Sequence, residues 1–416
     1  MERITRRILP HGAPAHIAEL IGVVFLWQAS VGVFFLSIVQ QYLPLELDAS
    51  PAFPGYAMAI YGGVRFLWQA PAGWVADRIG RRLTMVIGMA IGIPTLFLML
   101  QVPEPHVFLG LSAVLGFSAA TMWPALMAHL GETLPQNRRG SIMSVMNVSG
   151  MIGLGVGTVV GVVLMDFISY TAAFVACLGF NGLALLIAAR RCSFRWEPAQ
   201  RSEPDRARAR EGRALTPAVF SLGAIVLFLS LGTTIHTPVI GQYVTEVLDT
   251  KLYVMALFLI PSAVVAAVLM VKFGHAADRF GRHVPLVAGL LLAALSLFLL
   301  TLTRNPLLAV NLAVLAGLAY AVSLPAWSAA ALDATDIGSR GLLLGALTAV
   351  QGLGGALGQA LGGRVGEMYG PLAPFKFGAV LLLVALVLTL WHLQITRRQR
   401  QRLLAAAPLI PIPFDR

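Results

Sequence analysis

Charge is what this sequence has least of. Only 12% of its 416 residues are charged, against 57% hydrophobic, and the mean hydropathy is +0.79. Soluble domains carry about 25% charged residues, and no water-facing surface can be assembled from so few. Disorder is excluded from the opposite side, because the chain is too apolar to stay solvated. Cysteine is nearly absent: Cys177 and Cys192 lack metal-ligand spacing and support no disulfide framework. Lysine occurs three times, at Lys251, Lys272 and Lys376. The apolar/polar alternation of a β-barrel is missing too, since the apolar stretches are continuous. What remains is an all-α integral membrane protein. At about 20 apolar residues per span plus short loops, the length allows roughly a dozen helices.

The formal net charge of +11 would suit a nucleic-acid binder, but its placement does not. Of the 30 Lys and Arg residues, 24 lie in the N-terminal segment, in alternate loops or in the C-terminal tail. That pattern marks cytoplasmic segments. The expected partners are therefore the lipid bilayer and a small-molecule substrate, with no nucleic acid.

Apolar runs between charged or Pro/Gly-marked breaks predict twelve transmembrane helices, centred near residues 30, 65, 92, 118, 152, 178, 231, 264, 293, 319, 352 and 384. The first run, near 18–43, is too long for the apolar core of a cleavable signal peptide. Loops after even-numbered spans carry the arginines: Arg78, Arg81 and Arg82, then Arg138 and Arg139, then the stretch from Arg190 to Arg213. Arg279, Arg282, Arg340 and the tail Arg397, Arg398, Arg400 and Arg402 continue it. The odd-numbered loops carry Glu46, Asp48, Glu104, Asp166, Glu246 and Asp249. Both termini are thus expected in the cytoplasm of a multi-pass inner-membrane protein, as an even span count also requires.

Residues 190–216 are the only long polar insert and read as a solvated linker. It separates an N-terminal six-helix half (1–189) from a C-terminal one (217–396), followed by a cytoplasmic tail (397–416). The halves are repeats. Gly73 and Gly274, Asp77 and Asp278, Arg78 and Arg279, Gly80 and Gly281, and Arg81 and Arg282 are all 201 residues apart. The same offset joins Gln41 to Gln242, Tyr42 to Tyr243, Gly88 to Gly289, Pro124 to Pro325, Arg139 to Arg340 and Glu132 to Asp333. It also joins the stripe Gly153, Gly157, Gly161 to Gly354, Gly358, Gly362. Such a register predicts two pseudo-symmetric six-helix halves related by an axis along the membrane normal.

The loop after span 2, Gly73-Trp-Val-Ala-Asp77-Arg78-Ile-Gly80-Arg81-Arg82, and its copy from Gly274 to His283 resemble the G-x-x-x-D-R-x-G-R-R signature of the major facilitator superfamily. Glu132-x6-Arg139, repeated as Asp333-x6-Arg340, resembles the E-x6-R element known from its sugar porters. The resemblance implies a cytoplasmic gate in which these acids and arginines latch the bundle ends. Gly73 would allow a neighbouring helix close, and Gly80 would turn the chain tightly. Asp77 would meet a helix N-terminus or an arginine. Other elements depart from the family's antiporter branches: Ser112 replaces the span-4 arginine four residues before Gly116, and Thr158 follows Gly157 where a proline is usual.

Where the repeat does not force a polar residue inside a span, function is the expected cause. Arg65, whose repeat mate is Ala266, lies about 18 Å into the membrane at the helical rise. A charge there costs at least about 2.5 kcal/mol, so it must face protein or water. Anion binding or gating competes with a structural bond to a neighbouring helix. Gln69 lies one turn away, opposite Met270 in the repeat. His236 faces Phe35 in the repeat and offers a titrating site or a hydrogen-bond donor. Trp27, Gln28, Trp123 and Trp327 stand on spans that line the central cavity in the family, where aromatic capture competes with plain packing.

The expected activity is secondary transport of a small organic molecule by alternating access, by a monomer, with export of an amphiphilic compound or drug preferred. Uptake or exchange of an organic anion or other metabolite, and lipid flipping on the same fold, are the alternatives. No nucleotide loop or nucleophile–base set suggests an enzyme, and no cofactor or metal is expected. A proton as coupling ion would need a titratable group near the cavity. Only His236 and acids at span ends offer one, which leaves uniport and exchange open.

Overall fold

The computed structural model describes residues 15–102, 104–133, 139–191, 217–280, 283–333 and 340–406. The linker 192–216 therefore lies outside the described residues. Among them the chain is helical, with no strand. Span 1 runs through Ala15–Val33, a π-helical turn at Phe34–Ile38 and Val39–Leu45. Spans 2 to 6 are Phe53–Ile79, Arg81–Gln101, Pro105–Thr133, Arg139–Phe167 and Tyr170–Arg191. Span 7 starts as Pro217–Thr234, breaks at a 3-10 turn, Thr237–Val239, and resumes as Ile240–Gln242 and a π-helical turn at Tyr243–Val247. Spans 8 to 12 are Val254–Phe280, His283–Leu300, Pro306–Asp333, Arg340–Tyr369 and Ala373–Ala406. Each of the twelve expected centres falls in one of these helices. Eight helices among the described residues are long and apolar enough to cross a bilayer.

Local chemistry sets the ends. Spans 4, 7 and 10 open on Pro105, Pro217 and Pro306, where a missing N–H costs nothing and the fixed φ suits a first turn. Asn305 Oδ1 accepts from Leu307 N–H at 2.9 Å, and Ser169 Oγ accepts from Ala172 N–H at 3.1 Å, each satisfying a donor that the first turn leaves over. Just beyond spans 1 and 7 stand Asp48 and Asp249, both at φ 49° and 201 residues apart. Aspartate tolerates this left-handed conformation better than most side chains. The duplicated sequence thus folds into a duplicated turn.

Packing follows the same register. Within the first half, span 1 lies on spans 5 and 6, and span 4 on spans 2 and 3; in the second, span 7 lies on spans 11 and 12, and span 10 on spans 8 and 9. A Cβ added at Gly88 would stand 2.9 Å from the Ser118 carbonyl oxygen, and one at Gly289 would stand 3.0 Å from that of Ala319, its repeat counterpart. Gly157 abuts the backbone of Ala29, and Gly358 that of Leu231. The glycine stripes of spans 5 and 11 thus seat spans 1 and 7 backbone to backbone. The halves meet through span 2 on span 11 and span 5 on span 8.

Candidate functional site

The seam between the halves is tight at one end. Near the loops that carry Asp48 and Asp249, the acid end, a Cβ on Gly55 would come within 2.8 Å of Gly363 Cα. One turn pair further on, a Cβ on Gly62 would lie 3.6 Å from Gln359 Oε1. Toward the loops of Arg78 and Arg81, the arginine end, no described residue lies within 4 Å of a Cβ at Gly73. Span 2 therefore leans on span 11 at the acid end, while, among the described residues, the side of it that carries Gly73 is open.

Inside the second half lies a cavity of about 250 Å³ between spans 7, 9, 10, 11 and 12. Leu229, Leu290, Ala293, Leu297 and Leu382 form its apolar wall, and Ser230, Thr233, His236, Tyr320, Ser323 and Gln351 its polar strip. His236 occupies the break in span 7. Its ring centroid is 5.3 Å from that of Phe375, and its Nδ1 is buried without a hydrogen-bond partner of good geometry among the described residues. Thr233 Oγ1 donates to the Leu229 carbonyl at 2.8 Å, and Ser323 Oγ to the Ala319 carbonyl at 2.8 Å. These bonds let hydroxyls sit in an apolar helix without a further partner.

The equivalent region of the first half is nearly closed, with a pocket of about 30 Å³ lined by Trp27, Phe34, Phe35, Tyr61 and Asn181 among others. Aromatic side chains fill it. Trp27 stacks on Trp123 with centroids 6.0 Å apart, and Phe35 tilts against Tyr61 at 4.3 Å.

Of the seven residues nominated for a central cavity, the six whose side chains are described do not share one site: Trp27 and Trp123 meet each other, and the rest lie apart from them. Among the described ones His236 alone lines the large cavity. Trp27 and Trp123 are packed in the first half, and Gln28 lies against Gly150 of span 5. Arg65 is half-buried beside the Tyr61 hydroxyl, one turn away on the same helix, and Gln69 is half-buried. In the gate loop, the Arg78 guanidinium lies 3.8 Å from the Trp74 ring centroid. Gly80 joins spans 2 and 3 at φ 96°, a conformation suited to glycine, and Arg81 opens span 3. Asp77, Glu132, Arg139, Asp278, Arg279, Trp327, Asp333 and Arg340 lie in helices, but their side chains fall outside those described. Gly274 lies in span 8, while Gly281 and Arg282 are outside the described residues.

Sequence reasoning missed Ser230, Thr233, Tyr320, Ser323 and Gln351. The repeat held the signal: their mates are Ala29, Gly32, Ala119, Met122 and Gly150, none of them polar.

Two symmetric halves, a glycine-seated seam and a cavity beside it form the frame of an alternating-access carrier. The sequence profile of the Major Facilitator Superfamily matches residues 20–271 and 222–413. The chain belongs to this superfamily. Among curated superfamily proteins, it is 23% identical over 353 residues to "Proton-coupled antiporter flippase LtaA" of Staphylococcus saprophyticus, covering 83% of this chain and 86% of that one. It is 24% identical over 386 residues to "Multidrug resistance protein MdtG" of Serratia proteamaculans, covering 89% and 93%. Among solved structures, a POT family transporter with a bound thioalcohol-conjugated peptide superposes with a TM-score of 0.76 at 17% identity, covering 95% of this chain and 99% of that one. A bacterial homologue of the human lysosomal transporter Spinster, inward-facing and occupied, gives 0.74 at 15%, covering 91% and 96%. As a superfamily member, this multi-pass membrane protein is a secondary transporter of a small organic molecule.

Proposed function

We propose that the protein exports an amphiphilic small molecule across the cytoplasmic membrane, taking it up in the second-half cavity. The supporting observation is that cavity: an apolar wall with one polar strip centred on His236. An amphiphile buries its apolar body against Leu290 and Leu382 and its polar group beside His236 and Tyr320. The likeness to a multidrug resistance protein favours export. Lipid flipping is the second reading, favoured by the likeness to a protein named as a flippase.

In this reading the arginine loops, both termini, the linker 190–216 and the tail 397–416 are cytoplasmic, and the protein works as a monomer without cofactor. The duplicated signature around Asp77 and Asp278, with Glu132, Arg139, Asp333 and Arg340, closes the cytoplasmic end when the acid end opens. His236 is the titratable side chain through which a proton gradient would couple to export, and it does no enzymatic chemistry.

Everted membrane vesicles test the reading. They should accumulate a fluorescent cationic amphiphile when the protein is present, and Asp77→Asn should abolish the uptake. His236→Ala should cut it about tenfold, as expected when a ligand loses a buried polar partner. Uptake equal to that of empty vesicles would reject export of this class. Scrambling of a short-chain fluorescent phospholipid without dye uptake would select the flippase. For topology, an impermeant maleimide on intact cells should reach cysteines at Asp48, Glu104 and Asp249 and miss those at Arg138, Arg206 and Arg340.

A further inference from the structure

We propose that Gln40, flanked by Asp166 and Glu367, is a polar lock that holds the acid end of the two halves shut. Gln40 stands on span 1, is 1% exposed, and reaches across the seam into the broken part of span 7. Its Nε2 donates to the Thr237 carbonyl at 3.1 Å, and its Oε1 accepts from Gly241 N–H at 2.8 Å. Gln40 and Gly241 are repeat mates, 201 residues apart. Mates in contact lie on the pseudo-two-fold axis, where two copies of one long side chain would collide. Glutamine in one half and glycine in the other resolve that collision: a Cβ at Gly241 would lie 3.1 Å from Gln40 Oε1 and 3.0 Å from Gln41 Nε2.

Two acids flank this contact, and they too are repeat mates. Asp166, at the end of span 5, accepts from the backbone N–H of Tyr253 at 2.8 Å, just before span 8. Glu367, near the end of span 11, accepts from Ser50 Oγ at 2.6 Å, just before span 2. Each carboxylate thus ties the end of one span to the entry of a span in the opposite half. Arg364 of the same helix holds the second oxygen of Glu367 at 2.6 Å, which fixes the carboxylate toward Ser50. These four bonds between described residues all lie at the acid end. A rocking motion that opens this end must break every one of them, and it exposes the partners to water.

A net hydrogen bond shifts such an equilibrium about fivefold. Gln40 makes two and is the most buried of the three, so it dominates. The assignment needs only that the halves rock, and it borrows from the proposed orientation only the side from which a reagent enters.

The test places a reporter in the seam. Gly62→Cys, in a Cys192→Ser background, sits between spans 2 and 11, and an impermeant maleimide measures its exposure from outside intact cells. Gln40→Met keeps length and apolar packing but removes both bonds, and should raise the labelling rate about twenty-five-fold. Asp166→Asn combined with Glu367→Gln should raise it about threefold. If the orientation is inverted, the same increases appear in everted vesicles instead, which separates that failure from failure of the lock. Labelling of Gln40→Met at the parent rate on both sides would overturn the proposal. Should Gln40→Met fail to accumulate, Gln40→Asn, too short to span the seam, must show the increase, and a parent-like rate there overturns it equally.

Discussion

The two halves carry the same pocket in two conditions. In the first, Trp27, Phe34, Phe35 and Tyr61 leave about 30 Å³; in the second, His236 stands at the position matching Phe35 and lines a cavity of about 250 Å³. The backbone frame does not differ in kind: glycines seat span 5 on span 1 and span 11 on span 7, and Gly116 and Gly317 approach the backbones of Tyr61 and Ser262, repeat mates again. At this mate pair Phe35 packs on Tyr61 in a filled core, while His236 borders an open cavity. The first region is a buttress, and the second is the wall of the proposed site.

The largest effect that would sharpen this contrast is on stability. Trp27→Ala should destabilise the protein by about 4 kcal/mol, since a large buried aromatic leaves a cavity its neighbours cannot fill. Phe228→Ala, its half-buried repeat mate at the edge of the second-half core, should cost less than half as much. Denaturant unfolding in detergent measures both, and equal losses would erase the distinction between buttress and wall. Next comes exchange of the mates. His236→Phe should lower amphiphile affinity about tenfold by removing the polar partner, while Phe35→His should leave affinity unchanged and lower the melting temperature. A binding loss in Phe35→His instead would move the site into the first half. The smallest effect concerns Arg65. Because it sits beside Tyr61 rather than in the large cavity, Arg65→Lys should cost about 1 kcal/mol of stability through the lost planar donor geometry. Affinity in the surviving protein should stay within a factor of about two of the parent. A large affinity loss with stability intact would place Arg65 on the substrate.

Much of the frame is legible from periodicity and the 201-residue register: twelve spans, their order, and mates such as Gly88 and Gly289 that do the same job twice. Helix position follows from long apolar runs, which a bilayer reads as directly as an aligner does. The site is less legible for a physical reason. Single polar or aromatic residues in spans 1 and 4 look alike whether they face a cavity or a neighbour, and Trp27 and Trp123 find each other. Arg65 and His236 both break the repeat, yet only His236 borders the large cavity. Applying the same test to Tyr320 against Ala119 and Gln351 against Gly150 would have outlined the wall. The π-helical turns at Phe34–Ile38 and Tyr243–Val247 leave no mark of their own in the apolar pattern, since one extra residue per turn changes neither length nor polarity visibly.

The bonds from Thr233 to the Leu229 carbonyl and from Ser323 to the Ala319 carbonyl give part of the cavity wall a sign. A hydroxyl has one proton and two lone pairs. In both side chains the proton is committed to the helix, and only electron pairs remain to be offered. These two groups favour accepting, since turning the proton toward a guest would give up the bond to the helix. A ligand bearing an ammonium or an amide N–H meets partners already pointing the right way, whereas a carboxylate or ketone oxygen set against the same two atoms meets lone pairs. Discrimination of this kind needs no charged residue in the wall and is insensitive to pH.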